Sequence, residues 1–334
     1  MILLSILAGI TFTPLWRPLD PIPDPEGFAG MFAGPSHGAL LALGGSNFPE
    51  KKPWEGGNKV WSDKVYVLES AKGKWRMVGH LPKPLGYGVY GSYQNKVICA
   101  GGNDARGCYS DCFSAEWLKG RLVFRSLPPL PTASANCSGT LIGSRLYVVG
   151  GQESPDSVVA SRAIYCLDVS HPERGWKHLT DLATGRILCG VASYGGHLII
   201  FGGASLSASR DGKVIRKYLA DSWELTEDGT LMEFGPLPFP VVAPPNPAPV
   251  VGEAITVLGG DDGSQVGIDP KAHQGFRRET IVTSSPIGNW FVGGSRTFAQ
   301  VTCPCVSWNG RWVVIGGEIR PGIRTNKVWI QSNP

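Results

Sequence analysis

Near the end of this 334-residue chain, the stretch GGEIRPGIRTNKVW occupies residues 316–329. It sets one carboxylate, Glu318, ahead of two guanidinium groups, Arg320 and Arg324, four residues apart around a Pro-Gly turn. Two arginines held by such a turn offer rigid bidentate donors to a carboxylate. A glutamate directly behind a glycine pair and partly desolvated in a cleft is a proton carrier, its pKa drawn up toward the acid/base range. On an open surface loop the same three charges would only pair with one another in solvent. The scaffold therefore decides whether this is chemistry or solubility.

Composition narrows the classes. Charged residues make up 17% of the chain, with 45 glycines and 27 prolines, so short apolar runs alternate with abundant turn formers, as in all-β structure. The net charge is +4, and its lysines and arginines are scattered rather than massed into a stripe, which excludes nucleic acid and leaves a small anion compatible. Neither a nucleophile elbow, a phosphate loop nor a dinucleotide fingerprint is present, so no cofactor is indicated. Among the eight cysteines, Cys99, Cys166 and Cys189 sit in apolar runs and read as small buried hydrophobes. The pairs Cys303/Cys305 and Cys108/Cys112 lack zinc-site spacing, and no metal is assigned. A Cys108–Cys112 disulfide stays open for an oxidising compartment. The apolar start MILLSILAGITF is too short to span a bilayer, and no membrane association is expected. It reads either as the apolar part of a secretory signal, with periplasmic or secreted placement preferred, or as a simple extension, since no basic residue precedes Arg17.

Internal repetition settles the architecture. An apolar run ending in Gly-Gly occurs six times, as LLALGG, VICAGG, LYVVGG, LIIFGG, ITVLGG and WVVIGG, with first glycines at 44, 101, 150, 202, 259 and 316. The steps of 57, 49, 52, 57 and 57 residues match the kelch period of about 50, one four-stranded propeller blade per repeat. A large apolar residue (Trp16, Trp75, Phe124, Trp176, Leu231, Trp290) precedes each pair in phase, and a Leu or Ile follows it six positions on, except where Arg296 stands. Asp63, Asp111, Asp221 and Asn326 each stand just ahead of a further strand-like run. The last repeat lacks its outer strand, and LWRPLDPIP near the N-terminus carries that strand's signature. The expected fold is an all-β, six-bladed kelch-type β-propeller closed by the N-terminal strand pairing into the last blade. It spans residues 14–334 as a single domain behind an extension over 1–13.

Loops following the glycine pairs share one face with the inter-blade turns, and they are the long ones. They carry Asn47, Trp54, Asn103, Asp104, His273, Glu318, Arg320 and Arg324, and Arg186 starts an inner strand on the same side. His273 is a second acid/base candidate or an ordinary loop histidine. Trp54 and Tyr109 are stacking surfaces for a sugar or rim packing.

The segment GGEIRPGIRTNKVW resembles the G-E-x-x-P-G-x-R-T-[DN] motif of bacterial N-acetylneuraminate epimerases, the sialic acid mutarotases. GFAGMFAG…LLALGG (27–45) and NFPEKKPWEGGNKVWSD (47–63) resemble the same family. In familiar members the GFAG equivalent follows the motif blade; here it comes first, the order of a cyclically permuted branch. The resemblance implies a mutarotase acting on sialic or a related acidic sugar. Glu318 would be the acid/base, Arg324 the carboxylate holder with Arg320 and Arg186 in support, and a homodimer the assembly. A shorter fifth-blade insertion and Arg296 in an apolar position depart from the family pattern. Two other readings stand beside it: a non-catalytic kelch propeller binding a sugar or protein, and an oxidase or lyase on this scaffold.

Overall fold

The structure, a computed structural model, describes residues 15–283 and 289–332, so the N-terminal apolar segment lies outside the described residues. Six antiparallel four-stranded sheets follow one another along the chain. Blade 1 runs through Phe32–Ser36, Ala39–Leu43, Lys64–Leu68 and Arg76–His80, and blade 2 through Val89–Tyr93, Lys96–Ala100, Cys112–Leu118 and Arg121–Leu127. Blade 3 starts at Ser138–Ile142, blade 4 at Gly190–Tyr194 and blade 5 at Val250–Val251. Blade 6 takes Cys305–Trp308, Arg311–Ile315 and Val328–Gln331 from the C-terminal end, and its fourth strand is Trp16–Pro18. Trp16 pairs with Gln331 and Pro18 with Trp329, which covers the edge that blade 6 would otherwise expose. The propeller and its N-terminal closure are as the repeats imply.

The second strands show why the runs before each glycine pair are continuously apolar. All five residues of Ala39–Leu43 are buried. With side chains alternating between the two faces of the sheet, Leu40 and Ala42 enter the core shared with blade 6, while Leu41 and Leu43 enter the core shared with blade 2. A strand sandwiched on both faces has no polar side to show. Burying each such leucine contributes about 1.5–3 kcal/mol, repeated at every seam.

The glycine pairs work at the inner ends of these strands. Gly44 and Gly45 have φ of 65° and 89°, and a Cβ on Gly44 would stand 2.1 Å from the Leu85 carbonyl oxygen. The Gly45 amide donates to that same carbonyl at 2.9 Å, tying blade 1 to the chain entering blade 2. Left-handed backbone and close approach together exclude any residue with a side chain.

Around the axis, one residue per blade closes a ring. Gly30, Tyr87, Asn136, Leu188, Ala243 and Thr302 all have positive φ, between 52° and 70°. The amide of each donates to the carbonyl of the residue before it in this order, and Gly30 donates to Thr302, at 2.7–2.8 Å throughout. Just outside, Ser46, Asn103, Gln152, Ala204, Asp261 and Glu318 each bridge to the residue preceding a ring member. Glu318 thus stands beside the axis, in the position its place behind Gly316 and Gly317 implied.

Candidate functional site

The loops behind the glycine pairs gather at the mouth of this ring. Glu318–Arg320 and Ile323–Arg324 form a two-stranded hairpin, and Ser46–Asn47 pairs with Val60–Trp61 in another. The first hairpin turns at Gly322, whose φ is 76° and whose missing Cβ would stand 2.8 Å from Pro53 Cδ and 3.2 Å from a ring carbon of Trp54. Trp54, in the short 3-10 helix Pro53–Glu55, therefore backs the turn. On the other side the loop over 261–279 touches the same hairpin, with Gly275 against the Ile319 carbonyl.

Within this frame Glu318 and Arg324 form an ion pair, Glu318 half-buried and Arg324 buried. Glu318 Oε1 also accepts from the Gly322 amide at 2.5 Å, which fixes the carboxylate over its own turn. Arg324 Nε donates to the Ser46 carbonyl at 3.4 Å, and the guanidinium lies 5.0 Å from the centre of the Phe48 ring. Burial alone would weaken the arginine's charge, but the Tyr87 oxygen and the Glu318 carboxylate outweigh it and raise its pKa. Its Nη1 is the atom that faces Glu318 in the ion pair, so an incoming anion reaches this donor by displacing that carboxylate.

From Arg324 the contacts continue as an arc over blades 6, 1 and 2. The hydroxyls of Ser46 and Tyr87 are hydrogen-bonded at 2.7 Å. The Lys59 ammonium lies 4.0 Å from the centre of the Tyr87 ring and 4.5 Å from that of Trp61. Trp61 Nε1 in turn donates to Asn103 Oδ1 at 3.3 Å. One acid, two cations, a phenol and an amide so face one patch of the mouth. Inside the ring, the axial cavity measures about 60 Å³. A ligand pocket usually offers about 300–1,000 Å³. A ligand of ordinary size therefore has room only above the ring, against this arc.

The sequence candidates divide accordingly. Glu318, Arg324 and Asn103 belong to the arc, Trp54 supports it, and Arg320 lies half-buried on the same hairpin without a carboxylate partner among the described residues. Asn47 is buried one residue beyond Ser46, its amide donating to Asp24 at 3.4 Å. Arg186 does not reach the mouth: its side chain is 0% exposed, held by two bonds to Asp221 at 2.8 and 3.0 Å and one to the Gly202 carbonyl at 2.9 Å. It locks blade 3 to blade 4, because the strand position that aimed it inward also faces it to the aspartate ahead of the third strand of blade 4. Asp104 turns into its own loop, accepting from the Arg106 amide at 2.7 Å and the Tyr109 hydroxyl at 2.8 Å. His273 is 5% exposed, its Nδ1 accepting from the Gly275 amide at 3.0 Å and its ring edge-on to Phe276. Cys108 and Cys112 are both free thiols. Sequence reading missed Ser46, Lys59 and Tyr87. Tyr87 stands fourteen residues ahead of its glycine pair, as the ring residue does in every blade but the fifth, and alignment on that register would have exposed it.

Fold and site together define a six-bladed propeller with an acid–arginine pair and a phenol at one mouth. Residues 13–123 match the family model described as N-acetylneuraminate epimerase. The N-acetylneuraminate epimerase of Salmonella enteritidis is 46% identical over 91 residues, 25% of this chain and 23% of the relative. That of Haemophilus influenzae is 41% identical over 101 residues, 26% of each. Over this segment the chain is similar to the N-acetylneuraminate epimerases, and it spans about a quarter of the length of those it matches. The matched stretch contains Ser46, Lys59 and Tyr87 but ends well before Glu318.

Proposed function

We propose that the chain is a mutarotase, interconverting the anomers of N-acetylneuraminate or a related acidic sugar. One observation carries the reading. The Glu318–Arg324 pair, outside the matched segment, is seated by ring closure on Ser46 and Tyr87 within it. Acid, cation and relative-like loops so make one site. We further propose that the chain is a cyclic permutation of its relatives, since Trp16–Pro18 and Val328–Gln331 lie side by side in one blade.

The chemistry follows from the groups present. The anomeric carbon of such a sugar bears both a hydroxyl and a carboxylate. The carboxylate takes Arg324, with Arg320 and Lys59 adding positive potential, and releases Glu318 from its ion pair. Glu318 then removes the anomeric hydroxyl proton, the bond from anomeric carbon to ring oxygen breaks, and the ring oxygen gains a proton. The open ketone turns its other face and recloses by the same steps in reverse. Nothing is oxidised or transferred, and an acid/base contribution of ~10²–10⁴ suffices for a reaction that already runs unaided.

The test is anomer exchange followed by proton NMR from the α anomer freshly released by a sialidase. The expected result is acceleration over buffer by wild type. Glu318→Gln should lower kcat by ~10² or more with binding retained, and Arg324→Ala should mainly raise KM. Exchange at the buffer rate while the sugar still binds would make this a non-catalytic sugar-binding propeller instead.

A further inference from the structure

We propose that Tyr87 is the second proton-transfer group of this site, giving its phenolic proton to the ring oxygen while Glu318 takes the anomeric hydroxyl proton. The proposal rests on the mutarotase reading and deepens it, since ring opening needs one proton removed and another delivered to a different oxygen.

Three features place the phenol for that task. Its backbone is a member of the hydrogen-bonded ring, with φ of 64°, so the side chain leaves the axis in a direction that the whole propeller holds. The ring lies against Gly30, where a Cβ would come within 2.8 Å of its carbons. Of the six ring positions, only that of blade 1 is glycine, and it is the one the Tyr87 side chain covers. Finally, the hydroxyl reaches Ser46 at 2.7 Å and adjoins Arg324, the partner of Glu318, with the Lys59 ammonium over the ring face at 4.0 Å.

Electrostatics support the geometry. Burial opposes ionisation of the phenol, but the Lys59 and Arg324 cations and the Ser46 hydroxyl together outweigh it, against a smaller opposing effect of Glu318. The Tyr87 pKa lies below its ordinary value. A phenol that sheds its proton more readily is a better acid at working pH, and two cations hold the phenolate formed.

The step balances. The hydroxyl proton passes to the Glu318 carboxylate, its electron pair forms the ketone, the ring C–O pair leaves on oxygen, and that oxygen receives the Tyr87 proton. Reclosure returns the proton to the phenolate and the Glu318 proton to the new hydroxyl.

The experiment measures exchange of N-acetylneuraminate by NMR against pH, with the buffer rate subtracted, for wild type, Tyr87→Phe and Ser46→Ala. The acid must be protonated to act, so wild-type kcat should fall as pH rises through the lowered phenol pKa. Tyr87→Phe should lose ~10²-fold in kcat with KM within threefold, and lose that alkaline limb. Ser46→Ala keeps the phenol but removes a partner that favours its ionisation, so the limb should move to higher pH. A Tyr87→Phe enzyme retaining wild-type rate and limb, or a limb unmoved in Ser46→Ala, overturns the role of Tyr87 and leaves the mutarotase standing. Wild type no faster than buffer overturns both.

Discussion

Arg186 and Arg324 are both buried guanidiniums at the inner end of this ring, and their partners separate their roles. Arg186 faces Asp221 bidentately from the inter-blade turn, with the Gly202 and Thr184 carbonyls also accepting from it. Arg324 shares Glu318 with a turn amide and has one long bond to the Ser46 carbonyl besides. Arg186→Leu should therefore destabilise the fold by roughly 1–3 kcal/mol at neutral pH, because Asp221 loses its counter-charge while solvent screens the part of it that is exposed. Exchange by the folded fraction should be unchanged. Burial opposes the charge on Asp221, but the Arg186 bonds outweigh it and lower its pKa. The pair's contribution is therefore present above the ordinary carboxyl range and is lost as pH falls through the lowered value. Urea unfolding at pH 7 and again near pH 2 would check both points, with the two proteins converging at acid pH.

At the scale of elements, the hairpin Glu318–Arg320/Ile323–Arg324 owes its pose to two neighbours, the 3-10 helix Pro53–Glu55 and the loop over 261–279. Its turn depends on Gly322, which combines a φ of 76° with contact to Pro53. Gly322→Ala meets both obstacles and should cost about 1–3 kcal/mol while moving the amide that holds Glu318. The expected outcome is a lowered thermal midpoint together with a fall in exchange rate larger than the folded fraction accounts for. This hairpin was legible in the sequence because its acid, turn and arginine are local. Its neighbours were not, since Pro53 and Trp54 lie more than 260 residues away along the chain.

At the scale of the whole molecule, the seam between blades 5 and 6 carries a buried charge among the described residues. Five blades place Leu or Ile at the position where blade 5 has Arg296. Arg296 is 5% exposed; its Nε and Nη1 have no hydrogen-bond partner among the described residues, and neither has Gln300 Oε1 nearby in the chain. Stacking 4.6 Å from the Phe298 ring is its main compensation, and burial pushes the guanidinium down to about 10. The core at this seam gathers Leu258, Phe298, Cys303, Cys305 and Val314, with Trp16, Trp312 and Trp329 packed against it. Arg296→Leu should stabilise the propeller by ~1–4 kcal/mol. Urea titration would show it as a raised midpoint at unchanged slope.

By itself the sequence determined the number of blades, their register and the need for closure by the N-terminal strand. Each blade solves the same packing problem, so the same apolar runs and glycine pairs recur, and a repeated local constraint is visible in one dimension. It also determined that Glu318 would stand beside the axis, because that position follows from the strand exit alone. Tertiary structure decided which charges meet. Ring closure sets Arg324 on Ser46 and beside Tyr87, and the pairing of blades 3 and 4 commits Arg186 to Asp221. A side chain's role depends on what faces it across a seam, and for the candidate site those facing residues are supplied by the opposite end of the chain.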